Sequence, residues 1–263
     1  MLIVLILLSA IPFILLGIFM LFSGMAHPEA DIPPSLIGTL IIGFVIAFLL
    51  AIILGAFSMG YLLKILRGQV PLPEVTGFGR MFVDGIKLLV IEVIYLIPVM
   101  IILAITAGAA LLSALPILMS MPTEPDFEAL MPVLMPILGG VIAGVLIAVI
   151  VAILLWLLLV VGVVRFARTG KIGEAFNFSA ILATIGKIGW GSYILALIIV
   201  VVIVAVVQVI LGIIAYILSF IPYIDFIIMI LISPFIMVFM HRYICLLYNS
   251  AGETVSSQAT NSP

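Results

Sequence analysis

Six long apolar runs dominate this sequence of 263 residues, and each is long enough to cross a lipid bilayer. A helix needs about 20 mostly apolar residues to span the hydrocarbon core. Only 8% of the residues are charged, against roughly 25% in an average soluble domain. The sequence therefore predicts an all-α fold, a polytopic membrane helix bundle with about six transmembrane helices. The predicted spans are residues 2–25, 36–63, 86–110, 133–164, 191–219 and 227–248.

The distribution of the nine Lys and Arg residues predicts how these helices are oriented. Because cationic loops stay on the cytoplasmic side during insertion, both cationic clusters and both termini are expected in the cytoplasm of a cell-membrane protein. Cleavage of the first run near Ala26 would instead leave five spans. The cations are Lys64, Arg67, Arg80 and Lys87 in one cluster, Arg165, Arg168, Lys171 and Lys187 in the other, and Arg242 near the C-terminus.

The predicted domain organisation is one transmembrane domain over residues 1–249, followed by a disordered tail over 250–263. The tail is rich in Ser, Thr and Asn, a composition typical of disorder. Residues 36–110 and 133–219 resemble two copies of one unit. In both copies eighteen residues separate an arginine from a glycine, namely Arg67 from Gly85 and Arg168 from Gly186.

Each cytoplasmic loop is also predicted to contain a short amphipathic helix at the membrane surface. Such a helix lays its apolar face either in the headgroup layer or against the bundle or a soluble partner. In the second loop the apolar positions with helical spacing are Phe178, Ile181, Leu182, Ile185 and Ile188. In the first loop they are Phe78, Met81, Phe82 and Gly85.

Four segments resemble the hallmark sequences of domain-of-unknown-function family 4013. They are Gly60–Gly68, Leu72–Glu74, Met81–Pro98 and, for the C-terminal signature, Arg242–Tyr248. Family members commonly carry a polar lead-in, whereas this chain starts within an apolar run. The resemblance implies a multi-pass membrane protein of a kind found largely in archaea. It implies no catalytic residues, since the family has no established activity.

The residue patterns give no indication of enzymatic chemistry. The sequence has no glycine-rich phosphate loop and no His/Cys cluster with metal-ligand spacing. The cations all fit the rule for cytoplasmic loops, so none is left to indicate nucleic-acid binding. We therefore expect no enzyme activity, no cofactor, no metal and no nucleic-acid partner.

Two polar residues inside the apolar runs are the candidate site residues. Glu92 lies in the third run, where a carboxylate is costly unless it is paired or protonated. Arg67, Arg165 and Arg168 are its candidate ion-pair partners, and the same arginines are alternatively contacts for anionic lipid headgroups. Gln208 lies in the fifth run, and its amide is expected to need a partner on another helix.

The region 108–136 is the predicted contact for a partner. Its apolar residues continue beyond what a bilayer requires, either as projecting helices or as a hinged segment, and such a surface needs covering. We expect a non-enzymatic structural or accessory subunit that lies in the bilayer and packs with itself or with other membrane proteins. The alternative is a small transporter or channel whose path is lined by Glu92 and Gln208.

Overall fold

The computed structural model describes residues 34–119, 127–221 and 224–252, and these residues are helical apart from their connections. All the helices except the short α4 contain segments long and apolar enough to cross a membrane, which confirms the predicted all-α membrane fold. The predicted first span, 2–25, and the tail from residue 253 lie outside the described residues. The helices are α1 Pro34–Leu66, α2 Phe78–Met119, α3 Phe127–Thr169, α4 Phe178–Ile188, α5 Trp190–Ile217 and α6 Ile224–Asn249, with a 3₁₀ turn at Ile172–Phe176.

Glycines in the left-handed region end α3 and α4. Gly170 has a φ of 71°, and its N–H donates to the carbonyl of Phe166 at 2.8 Å. Gly189 has a φ of 90°, and its N–H donates to the carbonyl of Ile185 at 2.9 Å. A residue without Cβ adopts this conformation at little steric cost. The chain therefore breaks on both sides of α4 and leaves it as a separate short helix in the second loop, as predicted.

The predicted short helix of the first loop is not a separate element. Residues 78–87 are the first turns of α2, which continues without a break to Met119. Gly85 does not interrupt this helix. It lies where α2 crosses α1. A Cβ on Gly85 would lie 1.8 Å from the carbonyl oxygen of Ala56. The helix–helix contact therefore explains this glycine, and the amphipathic pattern belongs to the end of a long helix.

The chain divides into two compact units, and the first combines the residues up to Leu89 with those from Val161 onward. Its fully buried side chains gather near the C-terminal ends of α1 and α3 and around α4. They include Tyr61, Leu63, Ile65, Phe166, Ile181, Ile185 and Tyr193. The opposite half of α1, by contrast, exposes most of its apolar side chains between Ile41 and Ile53. The core of this unit is therefore at one end of its helices.

The second unit, Val90–Val160, consists of the remaining parts of α2 and α3, which pack through small residues. A Cβ on Gly140 would lie 2.8 Å from the Cβ of Ala110, and one on Gly144 would lie 2.1 Å from Oγ1 of Thr106. The Gly140–Gly144 pair thus allows close approach of two helices within this chain.

The region 108–136 is helical wherever it is described. Pro116 lies inside α2, while Pro132 and Pro136 lie inside α3. The choice between projecting helices and a hinged segment remains a prediction, because residues 120–126 lie outside the described residues. Several large apolar side chains of this region are exposed, namely Leu111, Leu112, Leu115, Met119, Leu134 and Met135.

Candidate functional site: a charged network in the first unit

Three helix C-termini of the first unit meet in a network of cations and backbone carbonyls. Arg67, which follows α1, donates from Nε to the carbonyl of Ala167 near the end of α3 at 2.9 Å. Arg242 in α6 donates to the carbonyl of Gln69 at 3.1 Å. Ala167 is in the last turn of α3, where carbonyls lack intrahelical partners and carry partial negative charge, so a cation stabilises them. Gln69 lies in the loop that follows α1. The two cationic clusters, which are far apart in sequence, therefore come together at one end of this unit.

Two ion pairs connect helix ends to the segments that follow them, one to the start of α2 and one to the 3₁₀ turn. Arg67 binds the carboxylate of Asp84 in α2, and Arg165 binds Glu174 of the 3₁₀ turn with an N–O distance of 2.6 Å. The four side chains are only partly exposed, so solvent screens these pairs less than it screens pairs on an open surface. The hydrogen bond from Arg165 lowers the pKa of Glu174 below its ordinary value.

Arg168 connects α3 to α6. Its guanidinium lies over the ring of Tyr248, 4.4 Å from the ring centroid, in a cation–π arrangement. It also donates to the side-chain oxygen of Asn249 and approaches Sγ of Cys245 at 3.8 Å. Cys245 is buried and donates in turn to the carbonyl of Leu66 at 3.7 Å. One arginine and one thiol thus bring the ends of α1, α3 and α6 together.

Lys64 orders the first loop. Its Nζ donates to the carbonyl of Glu74 at 3.3 Å and to the carbonyl of Thr76. Both acceptors belong to the connection between α1 and α2, which has no regular structure of its own. The lysine therefore compensates for backbone hydrogen bonds that a helix would otherwise make internally.

The exposed side of α4 carries apolar side chains. Ile181 and Ile185 are buried within the first unit, whereas Phe178, Leu182 and the nearby Trp190 are each more than 40% exposed. The apolar residues predicted from the sequence thus lie in two different environments. One side packs on the bundle, and the neighbouring side has the composition of a surface that lies in the headgroup layer.

The predicted site residues fall in different places. Arg67, Arg165 and Arg168 all belong to the network, where each has the partners described above. Glu92 is half-buried in α2, within the second unit. Gln208 is exposed on α5, within the first unit. The pairing of the arginines with Glu92 remains a prediction.

Sequence reasoning missed Asp84, Glu174 and Tyr248 as partners in this network. In the sequence the two acidic residues could be recognised only as charges that follow each arginine along the chain. Nothing in the sequence indicated how far their carboxylates lie from the guanidinium groups. Within the described residues, no three His, Cys, Asp or Glu side chains are grouped so that they could hold a metal ion. The arrangement is suited to fixing helix ends and to presenting positive charge to phosphate groups.

Comparison with known proteins identifies one family. A family model described as Protein of unknown function (DUF4013) matches residues 46–216 of the chain. No curated protein and no solved structure matches it.

Proposed function

Because this chain belongs to the family described as Protein of unknown function (DUF4013), we propose a function from its own structure. It is a non-enzymatic structural or accessory subunit of the cell membrane, and it packs through its spans with itself or with other membrane proteins. The cationic network faces the cytoplasm in this proposal, and both termini lie on that side.

The observation that carries the proposal is how little of each span is buried. In the five described spans, only 11% to 28% of the most apolar window is covered by the rest of the chain. The fully buried aromatic rings of Tyr61, Phe166 and Tyr193 lie instead in the first unit, together with the charged network. The remaining helix surface is available to lipid and to other membrane helices, which associate through close packing.

The length of α3 supports a protein partner in addition to lipid. No charged residue lies between Glu128 and Arg165, a stretch of roughly 54 Å at 1.5 Å per residue. The hydrocarbon core is about 30 Å thick, and spanning helices tilt by at most about 40°. Even at that tilt, the apolar stretch extends roughly 10 Å beyond the hydrocarbon core along the membrane normal. The exposed Leu112 and Met135 lie in the region 108–136, where another chain would cover such a surplus.

Lipid headgroups are the second proposed partner. Phe178 and Leu182 enter the headgroup layer from α4, while the arginines nearby attract anionic phosphates. Each basic residue near an anionic surface contributes about 1 kcal/mol to such an attraction. The same residues hold the helix ends, so lipid contact and structural support are compatible in this network.

The transporter alternative rests on Glu92, whose half-buried position is compatible with a path. Gln208, however, is exposed, and an exposed amide does not line a path inside its unit. The test is flux of protons and small ions into vesicles that contain the purified chain. We expect no flux above that of protein-free vesicles, with wild type and Glu92→Gln alike. A flux that Glu92→Gln abolishes in folded protein would overturn the structural role.

A further inference from the structure

One face of α5 is exposed yet has the composition of a helix–helix interface. Gln208 is the only polar side chain between Tyr193 and Tyr216, and it is exposed in a single copy of the chain. It lies roughly 27 Å along the helix from Trp190 and about 13 Å from Ile217, well inside the apolar span. A primary amide at such a position is stabilised by a hydrogen-bond partner on another helix.

The residues beside Gln208 allow close approach. Ala205 and Gly212 are three and four residues away, which places them on the same side of the helix, and both are exposed. A Cβ built on Gly212 would meet no atom within 4 Å. Small residues around one amide are typical of the surfaces through which membrane helices associate.

This face is distinct from the side of α5 that the chain uses internally. The internal side contains the buried residues Tyr193, Leu197 and Val200 and packs against α4 and α6. At that side the hydroxyl of Tyr243 donates to the carbonyl of Ala196 at 3.0 Å. At 100° per residue, Gly212 and Ala205 lie about 90° to 115° around the helix from the middle of the internal side, and Gln208 lies about 55° from it, between that side and the two small residues.

We infer that this face binds the same face of a second copy of the chain. Two copies in one membrane are related by an axis along the membrane normal. The two Gln208 side chains therefore lie at the same depth in the membrane, where they can meet. A carboxamide both donates and accepts, and two of them therefore satisfy one another. A two-fold contact of this kind is self-complementary, whereas an unrelated partner would need its own polar group at the same depth.

The test begins with disulfide formation between copies in vesicles. Gly212→Cys is expected to give a cross-linked species of twice the monomer mass upon oxidation, and Ala205→Cys serves as the second variant. Val206→Cys is the matched control, since it is exposed but lies about 160° around the helix from Gln208 and about 120° from Gly212. The natural Cys245 is buried, so it is not expected to form a cross-link between copies. Equal cross-linking at Gly212 and Val206, or none at Gly212 and Ala205, would overturn the inference.

Energy transfer between labelled copies then measures the contribution of the amide. Gln208→Leu is expected to raise the dissociation constant roughly threefold to twentyfold, which corresponds to the average and the largest contributions of hydrogen bonds between membrane helices. Val206→Leu is expected to leave it unchanged. An unchanged dissociation constant for Gln208→Leu would contradict the role of the amide.

This inference rests on the proposed packing role and names the partner, but the two fail differently. A chain that is monomeric in vesicles yet leaves its native membrane with a different protein in fixed stoichiometry overturns the inference alone. A chain that is monomeric in both settings overturns the inference and the proposed function together.

Discussion

At the scale of single residues, Glu174 reports directly on the charged network. Arg165 lowers its pKa, so the ion pair stabilises the fold above the ordinary carboxyl value of 4.5. That stabilisation is lost as the pH falls through the lower value of the folded protein. Glu174→Gln is therefore expected to lower the unfolding temperature at pH 7, and the difference from wild type is expected to close in acid. A difference that stays constant down to pH 3 would contradict this account.

The arginines of the network were identified from the sequence, but their partners were not. Charge segregation predicts which cations share a membrane side, and it depends only on where the charges fall along the chain. The acceptors of Arg67 lie in α2 and near the end of α3, about 17 and 100 residues away. Such contacts depend on how the loops fold back, and no periodicity in the sequence encodes that path.

At the scale of helices, the crossing of α1 and α2 depends on Gly85. A methyl group there would lie 1.8 Å from the carbonyl oxygen of Ala56 and 2.6 Å from its carbon, so the backbones would have to separate. Gly85→Ala is expected to lower the free energy of unfolding by roughly 1–3 kcal/mol, as for other overpacked sites. Denaturant unfolding of the purified protein in one detergent measures it.

Gly79→Ala is the matched control for that prediction, because it lies in the same helix and its added Cβ would have nothing within 4 Å. Alanine favours helix more than glycine does, so this change is expected to be neutral or to stabilise by up to about 1 kcal/mol. If both variants unfold alike, the close crossing of α1 and α2 does not determine stability.

The helices themselves were largely predictable, because a membrane span requires a length and a composition that the sequence displays openly. The five described spans agree with the predicted ones. Which side chains of each helix are buried depended on packing. The spacing of Phe178, Ile181, Leu182 and Ile185 predicted α4, yet it did not show that Ile181 and Ile185 face the bundle while Phe178 and Leu182 remain exposed. The helical spacing of apolar residues identifies the apolar side of a helix. It does not show which of those residues pack against the protein and which stay exposed.

At the scale of the whole molecule, packing within the chain is uneven. The first unit concentrates its buried side chains and its charges at one end of its helices, and the spans beyond that end remain mostly exposed. Composition predicts a membrane protein but not this distribution, which arises from loop-to-helix contacts. We therefore expect the exposed spans to be where the chain meets lipid and other proteins.

The most direct test of the structural role is the mass of the tagged protein, extracted from its native membrane in lipid discs, with every accompanying chain identified. The account predicts a discrete assembly, either several copies of this chain or one copy with a stoichiometric partner. Leu112→Gln combined with Met135→Gln is expected to weaken any contact through the region 108–136. A lone chain of 28.2 kDa, with no protein partner at any extraction strength, would contradict the account.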